Sequence, residues 1–324
     1  MPASRGECLS HLYAFVEQPI LSVTGCIRWA EIIIRVPSAD ECVEESTKMR
    51  SIMRVLIEAA GLVVLAAIEA VATQWRHLVR GQIRKVRNLT FTVVNHALIP
   101  VVSVTMAHFL EPRIGTQWIA GLPVIVGLPL TIVMLDFAGY WFHRFSHRNL
   151  FLWRFHQIHH LDEDFDVTTG ARVHTVEETM HHLILLALVV VLGAPGSYFA
   201  AFATISFLIA LFHHANIAIP DRLERVLRLV LFTPALHVPH HHEDIVNTDT
   251  NFGFIFPWWD RMFGTFNTAA RTPQWRIGLD YSHDLPLHRL FVQPFLPRQL
   301  KETATPPTPS AATSVGTGKG GAAC

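Results

Sequence analysis

The chain has 324 residues, of which 50% are hydrophobic and only 16% are charged, and its mean hydropathy is +0.31. Soluble domains carry about 25% charged residues, so this composition excludes a disordered protein, a collagen-like fibre and an ordinary acidic cytosolic enzyme. The 26 basic and 26 acidic residues give a formal net charge of zero, so no global basic excess favours nucleic-acid binding. Histidine is the outlier, because 14 of the 20 histidines lie between His143 and His242.

The N-terminal residues 1–54 are predicted to be an extension of uncertain structure. They lack the charged start, apolar stretch and small-residue cleavage site of a secretory signal. Segment 12–36 is moderately apolar but contains charged residues, which favours a surface or amphipathic segment. The cysteines form no C-x-x-C pair, so neither a zinc ribbon nor a thioredoxin-like motif is supported.

Three apolar stretches are long enough to cross a bilayer, which takes about 20 residues. They are Leu56–Trp75, Phe91–Leu110 and Ile119–Tyr140. A soluble core could explain one such stretch, but several in one chain are typical of a membrane protein.

A fourth apolar block, Leu183–Phe212, is interrupted by a Gly-Ala-Pro-Gly turn signal at Gly193–Gly196. We expect a hairpin of two helices, Val176–Gly193 and Ser197–His213, because a single crossing would separate the flanking histidines. The sequence therefore predicts an all-α integral membrane protein with about four transmembrane helices, the last two as a hairpin.

Charge predicts the orientation of these helices. Between the first two stretches lie five basic residues and no acid: Arg76, Arg80, Arg84, Lys85 and Arg87. Short loops rich in Lys and Arg face the cytosol. The histidines that begin after Tyr140 would then lie on the cytosolic side, in a multi-pass protein.

The later segments are less apolar. Asp221–Phe232 has apolar residues at helical spacing and a basic face, which predicts an amphipathic helix that lies on the bilayer or packs on the protein. Residues 271–302 form a C-terminal segment, and the Pro-, Thr-, Ala- and Gly-rich tail 303–324 is predicted to be disordered.

Three histidine clusters carry the chemistry, and within each the spacing is three or four residues: His143 and His147; His156, His159 and His160; His237, His240 and His241. Residues at this spacing share one face of a helix. Imidazole is the commonest side-chain metal ligand and suits iron, copper, nickel and zinc alike. The clusters predict two metal centres without choosing the metal. Nine other histidines are interpreted as hydrogen-bonded core residues: His11, His77, His96, His108, His181, His182, His213, His283 and His288.

With their surroundings, these clusters resemble the fatty acid hydroxylase and sterol desaturase superfamily, which are integral membrane non-haem di-iron oxygenases. The matching stretches run from Asp136 to His147, from His156 to His160, from Arg172 to Glu177, from His214 to Asn216, from His237 to His241, from Asn251 to Gly253 and from Trp259 to Thr265. The similarity covers roughly residues 55–270. It implies a helical membrane domain with a cytosolic cap that holds two irons.

Carried over to this chain, the resemblance implies ten metal ligands: His143, His147, His156, His159, His160, His174, His214, His237, His240 and His241. Related hydroxylases have two histidines four residues apart just before the last cluster, whereas this chain has Ala210 at the position four before His214. His174 is therefore a candidate replacement. The triple His240-His241-His242 leaves the register of the last cluster open by one residue.

The resemblance implies an O2-dependent oxidoreductase that hydroxylates or desaturates a lipid. Ether-lipid oxidation or C–C cleavage is the alternative within this class. A histidine-lined transporter and a non-catalytic metal-binding or lipid-binding protein are the alternatives outside it. No dinucleotide fingerprint and no haem or iron–sulfur motif is present, so electrons must come from a separate carrier, which the family implies is reduced by NAD(P)H. Four acids were candidates for orienting ligand rings: Asp136, Glu177, Asp244 and Asp249.

Overall fold

The computed structural model describes residues 15–21, 27–33, 39–75, 81–110 and 117–296, and side chains within 45–75, 81–103 and 117–296. Predictions about residues 76–80 and about the tail 303–324 therefore lie outside the described residues. The chain divides into two compact units, Met1–Gly61 and Leu62–Cys324.

The first unit contains a two-stranded antiparallel sheet. Strand β1 spans Phe15–Leu21 and β2 spans Ile27–Ile33, with Phe15 opposite Ile33 and Leu21 opposite Ile27. The segment expected to be a surface or amphipathic element thus forms a β-hairpin.

Helices make up the rest of the described chain. The long helices are α1 (Ala39–Val71), α2 (Gln82–Leu110), α3 (Val124–Arg148), α4 (Leu150–His160), α5 (Thr175–Leu192) and α6 (Gly196–His214). The short ones are α7 (Asp221–Leu227), α8 (Pro234–His237), α9 (Ile245–Thr248), α10 (Trp258–Phe263) and α11 (Leu287–Val292). Single 3-10 turns lie at Thr169–Ala171, Val238–His241 and Gln293–Phe295.

Four helices are long and apolar enough to cross a membrane: Glu45–Val71 of α1, Val124–Arg148, Thr175–Leu192 and Gly196–His214. This confirms an all-helical membrane-type architecture with a buried histidine cluster. The predicted span Phe91–Leu110 lies within α2 but is not among these four helices of the described chain.

Helix α5 ends where the turn signal was found. Gly193 adopts a left-handed conformation (φ 60°), which a residue without Cβ accommodates at low cost, and α6 begins at Gly196. Val189 of α5, Phe202 of α6 and Leu135 of α3 belong to one buried cluster. These three helices therefore share one hydrophobic core.

A sharp corner joins α3 to α4. The side chain of Asn149 accepts hydrogen bonds from the backbone N–H groups of Phe151 and Leu152, which caps the start of α4. The corner folds α4 back against the end of α3 and brings the first two histidine clusters face to face.

A buried ion-pair network holds the loop after α4. Arg84 of α2 donates to both carboxylate oxygens of Asp162, at 2.8 and 2.7 Å, and also to Asp166. Burial alone would raise the pKa of Asp166, but the Arg84 guanidinium lowers it below its ordinary value. This network fixes the chain between the second cluster and α5.

The predicted amphipathic helix is shorter than expected. Helix α7 ends at Leu227, and the backbone N–H of Phe232 donates to the carbonyl of Ile255 at 2.8 Å. Phe232, which the periodicity placed at the end of the helix, therefore makes a tertiary hydrogen bond instead of a helical one.

Candidate metal centre

The sequence-predicted histidines converge into two neighbouring groups. One group contains five buried residues: His143, His147, His156, His160 and His240. The other contains four buried residues: His159, His214, His237 and His241. Within each group one ring nitrogen per residue lies within 4.8 Å of all the others. Nine of the ten predicted ligands are thus brought together, from α3, α4, α6, α8 and the following 3-10 turn.

Two of the three histidine clusters are divided between the two groups. In α4, His156 and His160 are one turn apart and belong to the five-histidine group, whereas His159 belongs to the four-histidine group. In the last cluster, His240 belongs to the first group and His241 to the second. These two clusters therefore join the two groups through short, continuous segments of the chain.

Hydrogen bonds fix the ring orientations. Backbone carbonyls accept from Nδ1 of several rings: Phe252 O from His143 at 2.8 Å, Arg172 O from His159 at 3.1 Å, Ala210 O from His214 at 2.7 Å and Thr250 O from His240 at 2.7 Å. A carbonyl accepts only from a protonated nitrogen, so in a neutral ring the opposite nitrogen, Nε2, carries a lone pair. Such bonds are the usual support of metal-bound histidines.

The Nε2 atoms are too close to coexist without a cation between them. In the four-histidine group, Nε2 of His214 lies 3.1 Å from Nε2 of His159, and in both rings Nδ1 already holds the proton. Two lone pairs cannot hydrogen-bond each other. In the five-histidine group, Nε2 of His240 is buried and has no hydrogen-bond partner among the described residues. Both groups therefore fit bound metal ions.

Burial favours the neutral form of five grouped imidazoles that lie outside the candidate spans. Burial, followed by the neighbouring imidazoles, holds the pKa of His159, His160, His237, His240 and His241 well below the ordinary value. Neutral imidazole is the form that binds a metal, so the groups are ready to coordinate without losing protons first.

Two carboxylates act on the five-histidine group. Oε1 of Glu177 lies 2.6 Å from Nδ1 of His156, and Oδ1 of Asp249 lies 3.2 Å from Nδ1 of His147. The other two candidate acids act elsewhere. Asp136 accepts from the backbone N–H groups of Ile255 and Phe256, and Asp244 caps α9.

His174 and His242 lie in neither group. Nδ1 of His174 accepts from the backbone N–H of Val176, which makes it the N-cap of α5, and Nε2 lies 3.2 Å from the carbonyl of Phe291. His174 therefore lies apart from the four-histidine group, which contains one histidine fewer than the other group. The ring of His242 packs against Trp275, which places the register of the last cluster at His240 and His241.

A cavity adjoins both groups. Its lining includes His143 and His156 of one group, and His159, His214 and His237 of the other. It also includes His181 and His213, which the sequence placed among ordinary core histidines. Their place in the cavity lining had one signal in the sequence. His181 shares a face of α5 with Glu177, and His213 shares a face of α6 with Ala210.

The grouped histidines lie in a segment that matches a known protein family. A family model described as fatty acid hydroxylase matches residues 128–265, a segment that contains all nine clustered histidines. The predicted resemblance to the fatty acid hydroxylase and sterol desaturase superfamily is confirmed.

Several curated proteins are similar to part of this chain. Ornithine lipid hydroxylase OlsE from Rhizobium tropici is 30% identical over 57% of this chain and 54% of its own length. Alkylglycerol monooxygenase from Danio rerio is 33% identical over 49% of this chain and 33% of its own length. A very-long-chain aldehyde decarbonylase from Oryza sativa subsp. indica is 22% identical over 42% of this chain and 23% of its own length. The chain thus spans about half or less of these relatives, and no solved structure matches it significantly.

Proposed function

We propose that the chain is an O2-dependent di-iron oxidoreductase that oxidises a lipid at the membrane surface, by hydroxylation or desaturation. The observation that carries this proposal is the pair of adjacent, buried, all-imidazole groups, in one of which the Nε2 lone pairs of His159 and His214 face each other at 3.1 Å. The match of residues 128–265 to the fatty acid hydroxylase family and the lipid-oxidising relatives support iron and a lipid substrate.

The ligands in this proposal are the nine grouped histidines, and the two carboxylates orient the rings of His147 and His156. Two bound ferrous ions would supply electrons and Lewis acidity for the activation of O2 and the oxidation of an unactivated C–H bond. In hydroxylation one oxygen atom enters the lipid and the other leaves as water, which consumes two electrons and two protons. The described residues offer no carrier for these electrons, so we propose a separate electron-transfer protein reduced by NAD(P)H.

The membrane arrangement is part of the proposal. Helices α5 and α6 would form a re-entrant hairpin, and the basic residues between the first two apolar stretches, Leu56–Trp75 and Phe91–Leu110, would place the histidines on the cytosolic side. The histidines of α3 and α6 lie in the last turns of these helices and not along their length. This placement argues against a histidine-lined transport pathway.

Ether-lipid oxidation is the second candidate reaction, because alkylglycerol monooxygenase is among the relatives. The same histidines would serve it, and only the oxidised bond differs.

One experiment tests the proposal and separates the two reactions. The full chain is purified in detergent or nanodiscs, its metals are counted, and it is supplied with a chemical reductant, 18O2 and a total lipid extract from its host. The proposal expects near two irons per chain and an O2-dependent lipid product, which carries 18O after hydroxylation and a new double bond without 18O after desaturation. Release of the alkyl chain from an ether lipid would instead indicate the second candidate reaction. Turnover by metal-free protein, or two bound irons with no oxygen-dependent lipid product, would overturn it.

A further inference from the structure

The C-terminal part of the described chain, beyond residue 265, contacts the segments that carry the histidines. Its backbone meets the last cluster, because the N–H of Gly278 donates to the carbonyl of His241 at 3.1 Å. Its side chains reach α4, where the hydroxyl of Tyr281 accepts from Nε1 of Trp153 at 2.9 Å. These C-terminal residues lie outside the segment 128–265 that matches the family model, so that match assigns them no role.

Arg172 links this C-terminal segment to a proposed metal ligand. Its backbone carbonyl accepts from Nδ1 of His159 at 3.1 Å, and its Nε donates to the carbonyl of Ile158 at 2.8 Å. Arg172 thus contacts two consecutive residues of α4, one through its backbone and the other through its side chain. The position of the guanidinium and the orientation of the His159 ring are therefore coupled.

Arg172 lies in a short segment without regular secondary structure, between a 3-10 turn and α5. The neighbouring carbonyls of Ala171 and Val173 accept from side chains of α2. Helix α2 therefore holds this segment from one direction. Arg172 supplies hydrogen bonds in the other direction, to α4, and these set the distance between the segment and His159.

The guanidinium of Arg172 is a buried charge that needs a counter-ion. Arg172 is 0% exposed, and its Nη2 donates to Oδ1 of Asp284 at 2.7 Å. Nη1 lies 3.9 Å from Asp162, but both oxygens of that carboxylate already accept from Arg84. A buried charge that loses its partner is strongly destabilised. Asp284 is therefore the carboxylate that fixes the guanidinium of Arg172.

We propose that Arg172 is a positioning residue for His159 and that Asp284 of the C-terminal segment fixes Arg172 for this role. Asp284 then acts on the four-histidine group through Arg172, without contacting a ligand itself. The inference rests on the proposed function for the role of His159 as a metal ligand. It adds a carboxylate outside the family-matched segment on which the affinity of one metal centre depends.

Metal titration of one group at a time tests the inference. The full chain in nanodiscs carries either His147→Ala, which leaves the four-histidine group intact, or His237→Ala, which leaves the five-histidine group intact. Each metal-free chain is titrated with Co2+, with and without Asp284→Asn. We expect Asp284→Asn to weaken binding about tenfold or more in the His147→Ala chain, since losing a partner that orients a metal-bound histidine typically costs this much. Binding in the His237→Ala chain should not change.

The difference between the two chains separates positioning from a general loss of stability, which would weaken both groups. The double variant Arg172→Met with Asp284→Asn separates positioning from the cost of an unpaired charge. It removes the buried charge together with its partner but does not restore the contact with α4, so its affinity should stay as low as that of Asp284→Asn. Asp280→Asn is the matched control, because Asp280 is an exposed aspartate four residues before Asp284. Its affinity should equal that of the parent chain.

Equal weakening in both chains, no weakening in either, or full recovery in the double variant would overturn the inference. A second measurement needs no metal: exchange of the C2 hydrogens of the histidine rings, followed by mass spectrometry. Asp284→Asn should accelerate exchange at His159 by about threefold or more, because a ring without its carbonyl partner is less protected from solvent. Exchange at His240, which donates to the carbonyl of Thr250, should not change. If the parent chain binds no metal, the proposed function fails, and this exchange alone decides whether Arg172 positions His159.

Discussion

Oε1 of Glu177 lies 2.6 Å from Nδ1 of His156, so a carboxyl group on α5 hydrogen-bonds a histidine on α4 at the ring nitrogen opposite Nε2. Asp249 supports His147 in the same five-histidine group, whereas in the four-histidine group the Nδ1 partners seen among the described residues are backbone carbonyls. A carboxylate increases the basicity of the imidazole it binds. The two groups therefore differ in the partners of their Nδ1 atoms as well as in the number of histidines.

The first prediction concerns this carboxylate. Glu177→Gln keeps the shape of the side chain but removes its charge, and loss of such a partner typically lowers metal affinity about 10- to 100-fold. We expect a loss of this size at one of two metals, measured by titration of the metal-free protein with Fe2+ or Co2+.

Glu163→Gln is the matched control. Glu163 also accepts from a histidine, at 2.7 Å from Nδ1 of His283, but the His283 side chain is 90% exposed and lies in neither group. Metal affinity in Glu163→Gln should equal that of the parent chain. Equal affinities in Glu177→Gln and the parent chain would refute the role of Glu177.

The second prediction concerns metal stoichiometry. His147→Ala removes a ligand from the five-histidine group only, and His237→Ala from the four-histidine group only. Each should lower the content from near two metals per chain to about one, measured by plasma mass spectrometry on the folded protein.

The control for stoichiometry is His242→Ala, which tests the register of the last cluster. His242 is adjacent to His241 but packs on Trp275, outside both groups. Two metals should remain in this variant. Loss of metal from His242→Ala, with full content in His237→Ala, would contradict the grouping seen in the structure.

Much of this architecture could be predicted from the sequence, because it rests on local rules. Apolar length identified the helices that are candidate spans, and Gly193 marked the end of α5 because a left-handed residue is needed there. Helical spacing showed that His156 and His160 share a face. These features depend on residues within a few turns of one another.

The features that the sequence did not reveal depend on distant contacts. His174 has the sequence context of a ligand, but its ring is used to cap α5 and reaches the carbonyl of Phe291. The end of α7 is set by the hydrogen bond between Phe232 and Ile255. Likewise, nothing in the periodicity of α5 indicates that His181 stacks between Phe142 and Phe254. Packing partners that lie in distant segments of the chain cannot be identified from spacing.

The third prediction concerns a glycine that touches a proposed ligand. A Cβ at Gly170 would lie 2.7 Å from the carbonyl oxygen of Ala210 and 3.0 Å from Nδ1 of His214, two atoms that hydrogen-bond each other. Gly170→Ala should displace His214 and destabilise the fold by about 1–3 kcal/mol, as overpacking typically does.

Gly170→Ala should also lose the metal of the four-histidine group first, which metal counting would detect. Gly196→Ala is the control, since a Cβ there would meet nothing within 4 Å. A variant Gly170→Ala with full metal content and unchanged thermal stability would contradict the close contact.

The last prediction concerns pH. In the folded, metal-free protein, burial and the neighbouring imidazoles hold the pKa of His159, His160, His237, His240 and His241 well below the ordinary value, whereas in the unfolded chain these histidines titrate near about 6.5. Below that pH the unfolded state binds protons that the folded state does not. Stability therefore falls as the pH falls, by on the order of 1.4 kcal/mol per pH unit for each histidine that remains neutral in the fold.

Thermal unfolding of the chelator-treated protein in detergent checks this sign. The unfolding temperature should be nearly constant above about pH 7 and should fall steadily between about pH 6.5 and pH 5. The metal-loaded protein should keep its metal through about pH 6, because neutral imidazoles in the folded site bind no protons that compete with it. An unfolding temperature that rises on acidification, or metal release in step with the titration of a free imidazole, would show that the histidines are not held neutral by burial.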